Sequence, residues 1–408
     1  MPAEQSAGDT GERFLATLRV RTGSYAGSIA VLLTTVLGIN VGYAAVFPFL
    51  PDVRTHLGLG AAGVAVFVGA FAVTKVGGQP LGGVLLQRWP ARLIGALALG
   101  LAALGIGMVA WADTAEVAVA GRLLWGLGDG LVSPVLYRAI SALSEQHGRD
   151  SAPAFAKLGV VAVLSFAAGP FLVAAVHHTA DYPVVLTGAA VFTVLNAVVV
   201  WFVLTSAGDM GGPAATESAA ALDVPSLLLF AGVDFGANLL WGAMEVLVPL
   251  YLAESLSDPT LWTSLVLGVG MTTFAVAGPL IARLPEAFRG PGTLPVSFAV
   301  LAAGTVALYG VTGRATAFAA VVVFMAAQAH VYLVARGGIE RYCGGTGKAW
   351  GTFGAFSDAG FIVGPVLGAL CFDAFHAGTF PLLGLGAGGA AVALSFALLR
   401  WKGGRIRA

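Results

Sequence analysis

The chain has 408 residues, of which 58% are hydrophobic and 10% charged, with 21 basic and 21 acidic side chains. A soluble domain carries about 25% charged residues, so this composition excludes an ordinary water-soluble fold. Zero net charge, with no lysine and arginine run long enough to follow a phosphate backbone, excludes a nucleic-acid binder.

Residues 1–27 are polar and mixed in charge (Glu4, Asp9, Glu12, Arg13, Arg19, Arg21), with no short apolar core before a small-residue cleavage site. They read as a tail and not as a signal peptide. Apolar blocks follow at 28–50, 62–86, 93–112, 116–140, 154–176 and 182–204. Residues 205–224 are small and polar and lack Lys and Arg in the stretch TSAGDMGGPAATESAAALDV, which predicts a flexible linker. Six more blocks occupy 225–252, 261–282, 293–312, 315–336, 348–370 and 379–399, and 400–408 is a basic tail. Each block is long enough to cross the ~30 Å hydrocarbon layer as a helix, the form that satisfies its own backbone in lipid. The 57 glycines fit, because small residues let membrane helices approach closely. The expected fold is an all-α membrane protein of twelve transmembrane helices. It divides into a six-helix bundle at 28–204 and another at 225–399.

Lys and Arg concentrate on the cytoplasmic side of membrane proteins. With the N-terminus inside, 17 of the 21 fall in cytoplasmic segments, Arg336 among them; Arg54 and Arg314 lie outside, and Lys75 and Arg122 lie within spans. Both termini are therefore expected in the cytoplasm, with the chain multi-pass in the plasma (inner) membrane. An internal repeat supports two parallel halves: AFAKLGVVAVLSFAAGPFLVAA from Ala154 matches AWGTFGAFSDAGFIVGPVLGAL from Ala349, pairing Gly169-Pro170 with Gly364-Pro365.

The interior ionisable residues are Lys75, Arg122, Asp129, Asp234, Glu245, His330 and Asp358. Such groups are costly in lipid and point to a hydrated cavity or a buried network. In span one, Asn40, Tyr43 and Phe47 form a stripe suited either to substrate contact or to helix packing. Lys75 in span two, one turn from Gln79, can neutralise Asp129, Asp358 or an anionic substrate group, or serve a structural ion pair. In span four, Arg122 and Asp129 lie two turns apart on one face and can act as a pair whose protonation changes; the rival reading gives Arg122 to backbone carbonyls and Asp129 to a loosened turn. Asp234, Asn238, Trp241 and Glu245 share a helical stripe in span seven. The two acids are about 16 Å apart along the axis, so they serve different levels. A carboxyl in a low-dielectric cavity can take up and release a proton as access alternates, and Trp241 can stack on an organic cation. Glu245 reads equally as a group at a wet outer mouth. In span ten, Gln328 and Tyr332 lie opposite His330, which reads as a packed histidine.

Between spans two and three, GVLLQRWPAR places Gly83, Arg88 and Arg92 on the pattern G-x-x-x-D-R-x-G-R-R; span four carries R-x-x-x-G-x-G in RLLWGLG, from Arg122 to Gly128. With twelve spans in two halves, these motifs resemble the major facilitator superfamily, and the second resembles its proton-coupled drug and metabolite exporters. Gln87 stands where that family has aspartate and Pro90 where it has glycine, which puts the loop's charge latch in doubt. The resemblance implies that spans 1, 4, 7 and 10 line a central cavity. It further implies that Gly169, Pro170, Gly364, Pro365 and Asp358 serve conformational change, since Asp358 recurs in exporters of this kind.

No G-x-x-x-x-G-K-[ST] phosphate loop, nucleophile with its base, or metal-ligand spacing occurs; His177-His178 has no nearby Cys or clustered acid in sequence, and Cys343 and Cys371 are a long span apart. The expectation is a non-enzymatic secondary transporter without cofactor or metal. It would export a small organic molecule against protons, with Asp129, Asp234, Glu245 and Arg122 as coupling candidates. Import of a polar solute such as a sugar or organic anion is the alternative, ahead of a receptor or membrane enzyme. Its partners would be substrate, protons and lipid, and the chain itself a monomer.

Overall fold

Blocks rich in Ala, Leu, Val and Gly with capping residues at their starts form helices throughout a computed structural model that describes residues 24–206, 223–310, 313–343 and 347–406. Most of the expected N-terminal tail, 207–222 of the expected linker and the final two residues lie outside the described residues. The long helices are α1 (Tyr25–Val46), α2 (Ala61–Leu85), α3 (Ala91–Ala110), α4 (Ala115–Gln146), α5 (Ala152–Val176), α6 (Tyr182–Ser206), α7 (Val224–Ser255), α8 (Pro259–Ala282), α9 (Leu294–Ala307), α10 (Arg314–Cys343), α11 (Gly347–Phe375) and α12 (Thr379–Ile406). Ser24, Thr114, Asp223 and Asp258 cap α1, α4, α7 and α8 by accepting a backbone N–H of the first turn.

The boundaries depart from expectation in places. Span one does not run on to residue 50: α1 stops at Val46, and a separate two-turn helix, Leu50–His56, follows Pro48. Pro48 has no N–H to donate, and its ring clashes with the carbonyl four residues back. At the other extreme α10 continues to Cys343, past the expected end at 336. Among the described residues nine stretches are long and apolar enough to cross a membrane, α11 and α12 forming one of them. Large apolar side chains such as Leu97, Leu195, Val296 and Leu385 are exposed on α3, α6, α9 and α12, as a lipid-facing surface requires.

Helices α1–α6 pack among themselves and α7–α12 do the same; α2 against α11 and α5 against α8 are the main contacts joining the two groups. Glycine permits the tightest crossings. A Cβ at Gly169 of α5 would lie 2.6 Å from the Val41 carbonyl of α1, and one at Gly364 of α11 would press on the Leu239 carbonyl and stand 2.9 Å from the Ala243 nitrogen of α7. The two Gly-Pro steps of the repeat thus occupy helix-crossing points, each in its own group.

Candidate functional site

Between the two groups lies a cavity of about 230 Å³, lined from α1, α2, α5, α7, α8, α10 and α11. Its wall is aromatic, with Tyr43, Phe71, Phe166, Trp241, Phe274, Tyr332 and Phe361 facing it. Trp241 meets Phe274 and Phe361 at centroid distances of 5.0 and 5.6 Å in edge-on geometry, the arrangement that the ring quadrupoles favour.

Glu245 closes the deep end. Its Oε1 accepts from Trp241 Nε1 at 3.1 Å, one turn earlier on α7, and its Oε2 accepts from Tyr43 Oη at 3.0 Å, across the boundary on α1. At 3% exposure Glu245 is buried, which removes the reading of a wet outer mouth. Behind Tyr43 sits Arg122, wholly buried, with its guanidinium 4.8 to 5.3 Å from the rings of Tyr43, Phe67, Phe71 and Trp125. Its Nε donates to the Phe67 carbonyl at 3.2 Å, and among the described residues Nη1 and Nη2 have no hydrogen-bond partner. The aromatic faces supply the electrostatic compensation that a buried cation needs.

Towards the end where α1 and α7 begin, the cavity becomes charged. Lys75 Nζ of α2 stands 2.6 Å from Asp129 Oδ2 of α4, and Gln79 of α2 donates to Asp358 of α11 at 3.1 Å. Across the mouth Arg336 Nη1 of α10 lies 3.1 Å from Asp234 Oδ1 of α7. Asp234 Oδ2 also accepts from Ser357 Oγ at 2.5 Å and Asn238 Nδ2 at 3.3 Å, and Gln328 donates to Asn238 Oδ1 at 3.3 Å. Exposure falls along the cavity: the Lys75 and Arg336 side chains are each 28% exposed, whereas Trp241 and Glu245 are buried. The opposite end is closed by contacts between the groups, among them Thr260 Oγ1 donating to Asp52 Oδ2 at 3.4 Å and His177 Nε2 at 3.2 Å from Asp258 Oδ2.

Asn40, Tyr43, Lys75, Asn238, Trp241, Tyr332 and Glu245 line the cavity. Several expectations need correction. Arg122 and Asp129 are not partners, because each turns to α2: Arg122 to the Phe67 carbonyl and Asp129 to Lys75. Phe47 does not line the cavity; the helix has ended by then, and the ring packs behind Tyr43 at 5.1 Å. Gln328 is buried against Asn238 and does not reach the cavity either. Arg336, assigned to a cytoplasmic segment, faces the cavity from within α10 and covers the Tyr332 ring at 3.4 Å. Its spacing of four from Tyr332 was the available signal. Asp358, expected to serve conformational change rather than substrate contact, faces the cavity.

His330 is packed: Nδ1 lies 2.8 Å from Ser297 Oγ and Nε2 is 2.7 Å from the Phe288 carbonyl, away from the cavity. Gly83 in the last turn of α2 faces open space, Arg88 in the loop that follows is exposed, and Arg92 at the start of α3 lies over the Trp201 ring at 5.4 Å. The Leu86 carbonyl of that loop is bound by Arg138 of α4 at 2.7 Å, not by Arg88. Gly126 and Gly128 after Arg122 admit the backbones of α2 and α3.

Residues 32–335 match the Major Facilitator Superfamily. The quinolone resistance protein NorA of Staphylococcus aureus, as found in strains Mu50 and N315, is 28% identical over 142 residues. That match spans 35% of this chain and 36% of NorA. Crystal structures of the nucleoside transporter NupG, in a point mutant and a second form, superpose with TM-scores of 0.72 and 0.69 at 13% identity. They cover 91% of this chain and 99% and 98% of NupG, and at that identity the likeness is one of fold. The family match over most of the chain, on a helical fold shared with solved structures, makes this protein a member of the Major Facilitator Superfamily, a multi-pass membrane protein.

Proposed function

We propose that the chain is a proton-coupled exporter of a small organic molecule, with Glu245 as the coupling carboxyl. In this reading all twelve long helices cross the membrane, both termini are cytoplasmic, and the bundles 28–204 and 225–399 rock about the cavity as two pseudo-repeats. The cavity then opens to the cytoplasm. The observation that carries the reading is the placement of Glu245: a buried carboxyl at the deep end of an aromatic-walled cavity, bonded to its own bundle through Trp241 and to the other through Tyr43.

Rocking that opens the far end must separate Tyr43 from Glu245. The carboxylate then loses a donor just as it meets outside water, and it takes up a proton there. A substrate cation held by the carboxylate and the aromatic wall leaves in the same step, because neutralising Glu245 removes its counter-charge. Reversal restores the Tyr43 bond and returns the proton to the cytoplasm. Asp234, held by three donors and without a face on the cavity, serves as an anchor for α7, α10 and α11. Lys75 and Asp129 brace α2 on α4 in the same way. The partial likeness to a drug-resistance protein supports export, and the lining rings favour a flat, amphiphilic substrate.

Proteoliposomes with an imposed pH gradient test the reading. Wild-type protein should move a planar organic cation such as ethidium against its gradient, and Glu245→Gln, fixed in the neutral form, should bind the cation more weakly and lose uphill movement while keeping downhill exchange at high substrate concentration. Uphill transport unchanged in Glu245→Gln defeats the assignment. Proton-driven accumulation of a sugar or organic anion by cells expressing the chain would favour import instead.

A further inference from the structure

At the closed end, remote from the cavity, three side chains converge that the transport cycle above does not use. His177 ends α5 and His178 follows it; Asp258 caps α8, in the other group of helices and 81 residues from His177. Asp258 adopts a left-handed backbone, φ 60°, and its Oδ1 accepts the Leu261 N–H at 3.2 Å. That leaves Oδ2 facing the imidazoles, 3.2 Å from His177 Nε2 and 3.9 Å from His178 Nε2. The two rings lie 3.7 Å apart, so their nitrogens approach one carboxylate from the same side.

The hydrogen bonding of His177 shows that something positive belongs there. Its Nδ1 is 2.8 Å from the Ala174 carbonyl, which can only accept, so Nδ1 carries the hydrogen. In neutral imidazole Nε2 is then a bare lone pair, aimed at a carboxylate oxygen 3.2 Å away. Two lone pairs at that distance repel unless a proton or a metal cation lies between them. The anchoring is also the usual one for a metal-binding histidine, whose other nitrogen donates to a carbonyl or carboxylate.

The three ligand atoms all lie within 4.8 Å of one another. Around a tetrahedral zinc with bonds of about 2.0 to 2.2 Å, neighbouring ligand atoms stand about 3.3 Å apart, so a small rotation of the exposed His178 completes the set. Two imidazoles and one carboxylate suit zinc, nickel or copper better than calcium or magnesium. Asp52 and Asp181, with His177 at an adjoining surface pocket, add negative charge that draws cations in.

We propose that His177, His178 and Asp258 bind one zinc-class divalent cation, which fastens the two groups of helices at their closed end and slows transport. The binding stands on this geometry alone; the slowing rests on the rocking cycle described above.

Titration of the tag-free, full-length protein in detergent with Zn²⁺, in competition with a chromophoric chelator, tests the binding. Wild type should take up one Zn²⁺ per chain, and His177→Ala, His178→Ala and Asp258→Asn should each weaken it at least about tenfold. Asn keeps the helix cap and tolerates the left-handed backbone, so a loss in Asp258→Asn is not a loss of fold. No saturable uptake, or uptake indifferent to all three changes, overturns the site and leaves a proton between His177 and Asp258. In proteoliposomes, Zn²⁺ at the closed face should slow wild-type transport, a chelator should restore it, and Asp258→Asn should be insensitive. Slowing that persists in Asp258→Asn, or none in a wild type that binds Zn²⁺, overturns the brake. A wild type that moves nothing even without zinc fails the transport reading instead, and the binding result stands apart from it.

Discussion

The two ends of the cavity handle charge differently. At the deep end one carboxylate, Glu245, takes a donor from each group of helices, Trp241 from α7 and Tyr43 from α1. At the mouth both ion pairs stay within a group: Lys75 with Asp129 joins α2 to α4, and Arg336 with Asp234 joins α10 to α7. Gln79 with Asp358 crosses there. A bond within one group survives any rigid movement between groups, whereas a bond between them depends on that movement. Pairs near the mouth are thus placed to hold each group together, and the deep carboxylate is placed to register how the groups sit.

The comparison breaks most readily at Asp234. Removing its charge strands Arg336 and sets an amide against Asn238 and Ser357, which already donate to that oxygen. Breaking a buried pair costs about 3 to 5 kcal/mol, and the partial exposure of Arg336 argues for the lower bound, so Asp234→Asn should lose about 3 kcal/mol. Thermal unfolding in detergent would measure it, and the folded fraction should still couple transport to protons. An unchanged unfolding midpoint would mean that the pair does not hold the C-terminal helices, and the contrast between the two ends would lapse.

The second test concerns the crossing of α11 and α7. A Cβ on Gly364 meets the Leu239 carbonyl and the Ala243 nitrogen, backbone atoms that cannot rotate away, so Gly364→Ala should cost about 2 kcal/mol of stability. Gly83→Ala, in the last turn of α2, is the control, because a Cβ there meets nothing within 4 Å, and replacing a helical glycine with alanine at an open position should not destabilise and should gain up to about 1 kcal/mol. Equal effects at the two glycines would show that the Gly-Pro steps are not close crossings.

The helices were legible because lipid imposes one length and one backbone solution on every apolar block. The interior charges were legible because they interrupt those blocks, and the stripe Asn238, Trp241, Glu245 could be read from spacing alone. Pairing was harder. Arg122 and Asp129 share a face of one helix, yet each found a partner on α2, which periodicity in α4 cannot reveal. Arg336 escaped because a span was ended where hydropathy fell, although the helix runs on to Cys343. Phe47 was misplaced because Pro48 ends α1 one residue too early for the stripe to continue. Asp258 belongs with His177 only once two helix groups are docked, and no local pattern carries that information.

Tyr43→Phe should cost less stability than Asp234→Asn or Gly364→Ala and have the most telling effect on the cycle. It deletes one oxygen and keeps the ring, which packs on Phe47, Phe71, Trp125 and Phe166. Glu245 Oε2 loses its donor while Oε1 keeps Trp241, so the cost is that of one hydrogen bond to a charged acceptor, at the lower end of that class because the second donor stays, about 1.5 kcal/mol. That bond joins the groups, so its loss weakens the closed deep end relative to any state in which Tyr43 and Glu245 are apart. The expected outcome is a midpoint lowered only slightly, together with a larger population in which a cysteine-free chain bearing one thiol at Phe361 reacts with a reagent supplied from the far side. A mouth change such as Lys75→Ala should lower stability without that shift in labelling. Labelling raised equally by both changes would mean that bonds within a group set the orientation as strongly as the bond across it, and the division of labour between the two ends would be wrong.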